Sequence, residues 1–180
     1  MEIFRDHGFA GTSAEMLVEG LGVNRYSLYA EFGSKQALFY AAPQRYNEQI
    51  VGRSFGRLES PEAGVDEIRA LLEFYGTAGL GIATGRGCLL CNTAVEFGRH
   101  DPTGSGFVQK YFDRLSGAFC RALSNARDRG ELPQSVNPQT EAAFFTASVL
   151  GLFVMLRAKA PKKSIQDAVR VAIKHLETLR

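Results

Sequence analysis

The chain has 180 residues, a hydrophobic fraction of 45%, a charged fraction of 22% and a formal net charge of +2. This length allows one substantial core, or a small domain attached to a larger one, and the composition is that of an ordinary globular protein. The small positive charge neither requires nor excludes nucleic acid. The sequence shows neither the long apolar run of a membrane span nor a signal peptide, so we expect a cytoplasmic protein without membrane contact.

The cysteines Cys88, Cys91 and Cys120 form an odd-numbered set at irregular spacing. Such a set does not make a disulfide framework, and free thiols are typical of a reducing compartment. The sequence contains no nucleophile motif, no phosphate-binding glycine loop and no metalloprotease motif. We therefore expect no enzymatic activity, no cofactor and no metal site.

Apolar residues recur at spacings of three and four along the chain, and no stretch alternates as a strand does. This periodicity predicts an all-α fold, with an N-terminal three-helix head and a larger C-terminal helical bundle. Pro43 lies inside the fourth helix and is expected to kink it. The predicted helices span residues 2–7, 13–20, 25–31, 35–55, 65–83, 88–97, 107–129, 140–159 and 164–179, and residues 101–104 are predicted as a turn.

The second and third predicted helices, joined by a glycine-containing turn, have the arrangement of a helix-turn-helix. Outward Arg and Asn side chains can bond guanine and adenine, while hydroxyls usually bond phosphate. Residues 24–57 contain five basic and two acidic side chains, which suits a surface that displaces counterions from phosphates. The inward set is Met16, Leu17, Leu21, Val23 and Leu28; the outward set is Asn24, Arg25, Ser27 and Tyr29.

Four motifs follow one another over the 33 residues from Gly8 to Tyr40. They are G-F-x-G-T-S before the first motif helix, L-G-V at the turn, L-Y-x-x-F across the second helix and G-S-K-x-x-L-F opening the next. In order and spacing this segment resembles the DNA-binding head of the TetR family of bacterial regulators. The resemblance implies a helix-turn-helix domain at residues 1–45 and a ligand-binding and dimerisation domain at residues 46–180.

The resemblance also implies positions for DNA contacts. Leu28 and Phe32 would belong to the core of the head. Glu2–His7 is shorter than the family's first helix, so we expect the family's N-terminal phosphate contacts to be absent. Family members bind palindromic double-stranded DNA, usually as repressors that a small molecule releases. The implied phosphate contacts are Thr12, Ser13, Tyr29 and Lys35, and the implied major-groove residues are Asn24, Arg25, Tyr26 and Ser27.

The segment R-G-C-L-L-C-N-T-A-V-E-F-G resembles a piece of the body in a subset of this family, where a short helix lines the ligand cavity. The largely aromatic and aliphatic body predicts an apolar or aromatic effector. Each aromatic residue could instead be ordinary core, which is the more frequent role. Asn92 and Glu96 share a helix face, where they could receive a polar ligand group or cap a loop. The candidate lining residues are Phe74, Cys88, Asn92, Glu96, Phe112, Phe119 and Phe145.

Cys88 and Cys91 form a C-x-x-C pair just after Gly87, where a helix N-terminus would lower a thiol pKa. The alternative function is therefore a thiol-based redox or electrophile sensor, or a reductant. A metal ion would need further ligands, of which His100 is the nearest. The pair could also be small buried residues in a tight helix. A helical interaction module that has lost DNA binding is a further alternative.

The last two predicted helices, at 140–159 and 164–179, are candidates for a homodimer interface. Together with their symmetry mates they would form a four-helix contact, and the small residues Ala147 and Gly151 would allow a close approach. Both helices could instead complete the core of the monomer. A two-fold dimer suits a palindrome, with recognition helices about 34–36 Å apart.

Overall fold

The computed structural model describes residues 1–97 and 101–180, except for the side chains of residues 78, 79 and 82, so His100 lies outside the described residues. Over these residues the chain is helical without a strand, which confirms the predicted all-α class. The elements are α1 (Glu2–His7), α2 (Ala14–Leu21), α3 (Arg25–Phe32), α4 (Lys35–Tyr46), a π-helical turn (Asn47–Val51), α5 (Gly52–Phe55), α6 (Val65–Gly76), α7 (Ala78–Ala83), α8 (Leu89–Phe97), α9 (Pro102–Asp128), α10 (Pro138–Arg157) and α11 (Lys162–Thr178).

Short polar side chains determine where the head helices begin. The side chains of Ser13, Asn24 and Ser34 each accept a hydrogen bond from the backbone N–H three residues further along. These bonds satisfy donors that a helix leaves free at its N-terminus. Gly22 ends α2 with φ of 66°, a left-handed conformation that costs glycine little. The helix-turn-helix is therefore encoded locally.

The small core of the head follows the prediction only in part. Leu17 and Leu28 are buried, at 2% and 3% exposure. Leu21 and Val23, which were expected to pack inward, are 46% and 39% exposed. Both residues border the turn at Gly22, which places them at the rim of this core. An apolar residue next to a tight turn is thus a poor guide to burial in so small a domain.

The helix predicted to run through residues 35–55 contains a π-helical turn at Asn47–Val51. Pro43 lies in α4 and provides no backbone N–H for the helical ladder. Arg114 of α9 donates to the backbone oxygen of Asn47 at 2.6 Å and to its side-chain oxygen at 2.9 Å. The same guanidinium pairs with Glu59. A cation from the body therefore binds the carbonyl at the point where the helical pattern changes.

Two boundaries in the body differ from the prediction. The helix expected at residues 65–83 is interrupted at Thr77, which separates α6 from α7. The turn expected at residues 101–104 is instead the beginning of α9. The side chain of Asp101 accepts the N–H of Thr103 at 3.0 Å, and Pro102 occupies the first helical position. Both features favour a helix start, because proline there loses no helical hydrogen bond.

The α10 helix is the most apolar element of the body. By length and composition it could cross a membrane, but it packs along α9 and α11. Phe145 and Val149 are fully buried, and Phe145 lies 5.8 Å from Phe119 of α9 between ring centroids. The opposite side of α10 is exposed, so only one side of this helix completes the core of the chain.

Candidate DNA-reading face and effector cavity

The α3 helix presents its polar face to solvent. Leu28 holds the helix against the head core, while Asn24, Arg25, Tyr26 and Ser27 are all exposed. Tyr26 is 85% exposed, although a large aromatic ring is normally covered. A short helix with a buried anchor and an exposed polar N-terminal turn has the geometry of a recognition helix.

Asn24 and Ser13 are used locally as helix caps. Asn24 Oδ1 accepts the N–H of Ser27 at 2.7 Å, so its Nδ2 group is the part left to donate. While it caps α3, Asn24 lacks the second group of a bidentate contact with adenine. Ser13 accepts the N–H of Met16, and its hydroxyl also lies beside the Glu15 carboxylate, so it can donate to a phosphate by exchanging Glu15 for it. Both capping side chains could therefore contact DNA only as hydrogen-bond donors.

Arg25 lies on the surface between two partners. Its NH1 is 3.4 Å from Glu15 Oε1, and the two side chains are 66% and 75% exposed. Its guanidinium carbon lies 5.9 Å from the ring centroid of Tyr29. An exposed ion pair of this kind contributes about 0–1 kcal/mol, so Arg25 can exchange Glu15 for a base or a phosphate at small cost.

Thr12 and Lys35 hold the turn between α1 and α2. The side chain of Thr12 is buried, and its hydroxyl donates to the backbone oxygen of Gly8 at 2.5 Å. This removes Thr12 from the expected side-chain contacts with phosphate. Lys35 Nζ donates to the backbone oxygens of Phe9 and Thr12, each at 2.9 Å. The ammonium of Lys35 thus stabilises the head and has one proton left for DNA.

A cavity of about 580 Å³ lies in the body, within the range of small-molecule sites. Its walls come from the π-helical turn and α5 on one side and from α6, α7 and α10 on the other. Apolar side chains predominate, including Leu71, Phe74 and Phe153. Arg5 of α1 and Tyr46 of α4 also reach the cavity. One cavity is therefore bounded by both head and body residues.

The structure separates the predicted lining residues into three groups. Phe74 lines the large cavity, as expected. Cys88 lies behind the cavity wall, next to Tyr46. Phe119 and Phe145 pack against each other at 0% exposure and belong to the core, so their assignment to the cavity is wrong. Phe112 is half-buried against the same core and lines neither of the two described cavities.

Asn92 and Glu96 line a smaller cavity of about 360 Å³, but their polar atoms are already engaged. The Glu96 carboxylate accepts the backbone N–H groups of Phe9 and Ala10 at 2.7 and 2.6 Å. Asn92 Nδ2 donates to the backbone oxygen of Arg86 at 3.0 Å. Glu96 therefore joins α8 to the turn after α1, and Asn92 holds the loop before α8, so both side chains take the loop-capping role.

Arg5, Arg86, Asn92, Glu96 and Arg157 form a polar junction, here called the head–body clasp. Arg5 is 5% exposed and donates two hydrogen bonds to the backbone oxygen of Gly87, at 3.0 and 2.8 Å. Arg86 pairs with Asp6 and, at 2.6 Å, with Glu2. Arg157 NH1 donates to the backbone oxygens of Arg5 and Asp6, each at 2.9 Å. The clasp fixes α1 to the body.

Three residues of the clasp, Arg5, Arg86 and Arg157, were missing from the sequence-based site. The available signal was charge in apolar surroundings, because Arg157 ends an otherwise apolar α10. A charge in such a place needs a partner, since burying it alone costs several kcal/mol. The main partners are backbone carbonyls for Arg5 and Arg157 and carboxylates for Arg86, all more than 70 residues away in the sequence, so spacing alone could not identify them.

The Cys88 thiol lies buried at the N-terminal end of α8. Burial raises the pKa of this thiol, but the neighbouring thiol and backbone N–H of Cys91, with the Tyr111 and Tyr46 hydroxyls, favour the thiolate and lower the pKa below its ordinary value. The bond to Cys88 and then burial raise the pKa of Cys91. The buried Tyr111 hydroxyl makes no hydrogen bond of ordinary geometry with the described residues, and the Cys88 sulfur is a neighbour to which it could donate.

One exposed face of the body carries apolar residues. Phe144 and Val154 of α10 are 40% and 56% exposed, and Val171 of α11 is 63% exposed. Ala147 and Gly151 of α10 are also exposed, and the helical period places them on the same stripe as Phe144 and Val154. This stripe, made of Phe144, Ala147, Gly151 and Val154, is called the α10 stripe below.

Two family models match the chain over most of its length. Residues 1–42 match the model for bacterial regulatory proteins of the tetR family. Residues 64–172 match the tetracyclin repressor-like C-terminal domain.

Individual proteins agree with these matches. The HTH-type transcriptional regulator YezE of Bacillus subtilis (strain 168) is 30% identical over 178 residues, covering 98% of this chain and 92% of YezE. The HTH-type transcriptional repressor ComR of Escherichia coli (strain K12) is 24% identical over 175 residues, covering 96% and 81%.

Solved structures share the fold at lower identity. A cysteine mutant of the regulator CifR, complexed with 26-bp operator DNA, has a TM-score of 0.81 at 21% identity and covers 96% of this chain and 90% of that chain. The reduced form of NemR from E. coli has a TM-score of 0.78 at 22% identity, covering 98% and 90%. The chain belongs to the TetR family of DNA-binding transcriptional regulators, which are not enzymes.

Proposed function

We propose that the protein is a cytoplasmic homodimeric repressor that binds a palindromic operator through α3 and leaves it when a small molecule enters the large cavity. The observation that carries the proposal is the exposed N-terminal turn of α3, anchored by Leu28 within a TetR-type head. The head would comprise residues 1–45 and the body residues 46–180. The proposed DNA contacts are Ser13, Asn24, Arg25, Tyr26, Ser27, Tyr29 and Lys35.

The α10 stripe supports the dimer. A monomer that exposes Phe144, Val154 and Val171 on neighbouring helices leaves an apolar face in water, and such faces commonly mark interfaces. Gly151 and Ala147 would let the backbone of a symmetry-related α10 come close. A two-fold dimer of this kind presents two α3 helices to the two halves of a palindrome.

The position of the cavity supports a response to ligand. Its wall includes Tyr46, the last residue of α4, and Ile50 of the π-helical turn that follows this head-supporting helix. It also includes Arg5, a member of the head–body clasp. A ligand that prefers one position of these residues would favour one spacing of the two heads. The effect can be no larger than its difference in affinity for the two states.

The proposed function is tested first at Arg25. Arg25→Ala should weaken operator binding by about 1–3 kcal/mol if Arg25 reads a guanine, because a bidentate base contact is lost. The measurement is fluorescence anisotropy with the DNA upstream of the gene, at two salt concentrations. If Arg25 contacts a phosphate instead, the substitution should weaken binding and also reduce the dependence of operator affinity on salt concentration.

The matched control is Arg121→Ala, on an exposed position of α9 away from the head. It removes the same charge and should leave operator affinity unchanged. Equal losses of operator affinity in both variants would mean that Arg25 acts only through the overall charge of the protein. Unchanged affinity in Arg25→Ala would contradict its assignment to the operator.

A second candidate function is thiol-based sensing by Cys88 and Cys91. The observation that favours it is the placement of two free thiols, Cys88 and Cys91, three residues apart at the N-terminal end of α8, where the second could resolve an oxidised sulfur on the first. With hydrogen peroxide as oxidant, the Cys88 thiolate would attack one peroxide oxygen, giving a sulfenic acid and water after proton uptake. The Cys91 thiol would then displace a second water and form a disulfide. A solved relative, NemR, was crystallised in a reduced form.

This second function is tested with Cys88→Ser and Cys91→Ser. If the pair senses peroxide, the parent protein should release operator DNA on treatment, and either substitution should abolish that release while basal affinity persists. Cys120→Ser, on α9, is the matched control and should respond like the parent. A full peroxide response in Cys88→Ser would exclude the thiol mechanism.

A further inference from the structure

Positively charged residues outnumber negatively charged ones around the large cavity. Three arginines, Arg5, Arg53 and Arg57, line it, and among its described lining residues Glu67 is the only acid. Positive charge at the entrance of an apolar cavity attracts anions, and the low-dielectric walls strengthen that attraction.

Arg5 and Glu67 are both occupied. Arg5 donates to the backbone oxygen of Gly87 and lies against the ring of Tyr46, with 5.7 Å between its guanidinium carbon and the ring centroid. Glu67 Oε2 accepts the N–H of Gly64 at 2.9 Å, which caps α6. These interactions stabilise the fold. Arg5 and Glu67 therefore contribute to the electrostatic potential of the cavity but are not available to bind a ligand directly.

Arg53 and Arg57 are much less engaged. The side chain of Arg53 makes no hydrogen bond or ion pair with any residue in the described part of the chain. Arg57 NH2 lies 3.7 Å from Glu67 Oε1, and its side chain is 78% exposed. The two arginines are four residues apart, and the backbone stays helical at Gly56 between them. They therefore share one face, and like charges at this spacing repel each other.

The remainder of the cavity is lined mainly by apolar side chains, and the hydroxyls of Tyr46, Ser54 and Tyr75 are its uncharged polar groups. Its inner walls are made of Leu71, Phe74, Tyr75 and Phe153. Tyr75 and Phe153 pack edge to face, with 4.9 Å between ring centroids. Burial raises the pKa of Tyr75, so its hydroxyl stays neutral and its ring acts as an apolar wall. Two arginines thus lie at the edge of an aromatic pocket, Arg53 with no side-chain partner among the described residues and Arg57 in an exposed ion pair with Glu67.

We propose that the effector is an amphipathic organic anion, with an aromatic or aliphatic body between Phe74 and Phe153 and a carboxylate, sulfonate or phosphate bound by Arg53 and Arg57. This inference rests on the proposed function, because it takes the large cavity as the effector site. It adds one anionic group to the apolar effector that the composition of the body predicts. Binding of the anion removes the repulsion between the two arginines and ties α5 to the ligand.

A pair of matched probes tests the charge. Anilinonaphthalene sulfonate and N-phenylnaphthylamine share an aromatic body, and only the first carries an anionic group. Both become fluorescent in apolar sites, and the chain contains no tryptophan to interfere. Titration of the full-length protein should show tighter binding of the sulfonate. Adding the sulfonate to the protein–operator complex should also lower the anisotropy of labelled DNA.

Three variants locate the two parts of the site. Arg53→Gln with Arg57→Gln should weaken the sulfonate about tenfold, the value of one charged hydrogen bond, and leave the neutral probe unchanged. Phe74→Ala should weaken both probes, because both need the aromatic wall. Arg121→Gln on α9 removes a similar exposed charge outside the cavity and should affect neither.

The outcomes separate this inference from the proposed function. The neutral probe could bind as tightly as the sulfonate, or the affinity for the sulfonate could be unchanged by the two arginine substitutions. Either result would contradict an anionic effector but would leave the cavity as the effector site. Binding that is insensitive to Phe74→Ala lies outside the cavity and also counts against the inference. If neither probe enters the cavity and operator binding is normal, the ligand-responsive part of the proposed function fails as well.

Discussion

Gly151→Glu is expected to convert the protein to a monomer and to lower its operator affinity at least about a hundredfold, since an unpaired charge buried in an interface costs about 3–5 kcal/mol. In a two-fold dimer built on the α10 stripe, Gly151 of one subunit faces the equivalent helix of the other. Two carboxylates would then be buried near each other without a cation. A monomer occupies one half-site at a time and loses the gain of simultaneous binding.

The substitution is suitable because it should not disturb the monomer. A Cβ atom at Gly151 would meet no other atom within 4 Å. Replacing glycine inside a helix also removes the entropic cost of glycine, about 1 kcal/mol, so the isolated helix should become more stable. Any loss of dimer can then be assigned to the interface and not to misfolding.

Gly117→Glu is the matched control. Gly117 lies in the middle of α9, is exposed, and also has no atom within 4 Å of an added Cβ. Sedimentation velocity over a range of concentrations should show a dimer for the parent and for Gly117→Glu, and a monomer for Gly151→Glu. If Gly117→Glu dissociates while Gly151→Glu stays dimeric, the interface lies on α9 and the proposed assembly is wrong.

The helix-turn-helix could be predicted from the sequence because its determinants are local. Ser13, Asn24 and Ser34 cap helices through bonds to residues only three positions away. Gly22 marks its turn because few other residues adopt a positive φ so easily. Motifs made of caps and turns keep their spacing in the sequence, and the family resemblance depends on that spacing.

The effector cavity could be predicted only in outline. Phe74, Phe119 and Phe145 have the same chemical character, and the sequence gives no means of telling a cavity wall from a core contact. Their fates depend on how α9 and α10 pack, which leaves Phe119 and Phe145 against each other. The π-helical turn at Asn47–Val51 was missed for a similar reason. It coincides with contacts from Arg114 of α9, which lies 67 residues further along the chain.

Glu96 illustrates how the sequence can leave two roles open for one residue. Its position next to Asn92 on one face of α8 predicted either a receptor for a polar ligand or a cap for a loop. The carboxylate instead accepts two backbone N–H groups of the turn after α1. From the sequence, a free carboxylate in a cavity and one that binds a distant backbone look alike. The difference matters for function, because Glu96 belongs to the junction through which the body holds the head.

Arg157→Met is expected to loosen that junction and to lower the free energy of unfolding by about 2–3 kcal/mol, because hydrogen bonds from a charged donor are lost. Arg157 satisfies the backbone oxygens of Arg5 and Asp6 at the end of α1. Methionine retains much of the apolar stem but donates nothing, so these carbonyls must turn to water. Hydrogen exchange should accelerate at the amides of α1 and of the turn after it, including those of Phe9 and Ala10.

The control is Arg170→Met on α11. Arg170 is 72% exposed and pairs with Asp167 on the surface, so its loss should change stability by no more than about 0.5 kcal/mol. Because α3 keeps its own anchor at Leu28, Arg157→Met should still bind operator DNA. It should also remain bound at effector concentrations that release the parent, since the head no longer follows the body. If Arg157→Met releases DNA as the parent does, coupling runs through α4 alone and the clasp is purely structural.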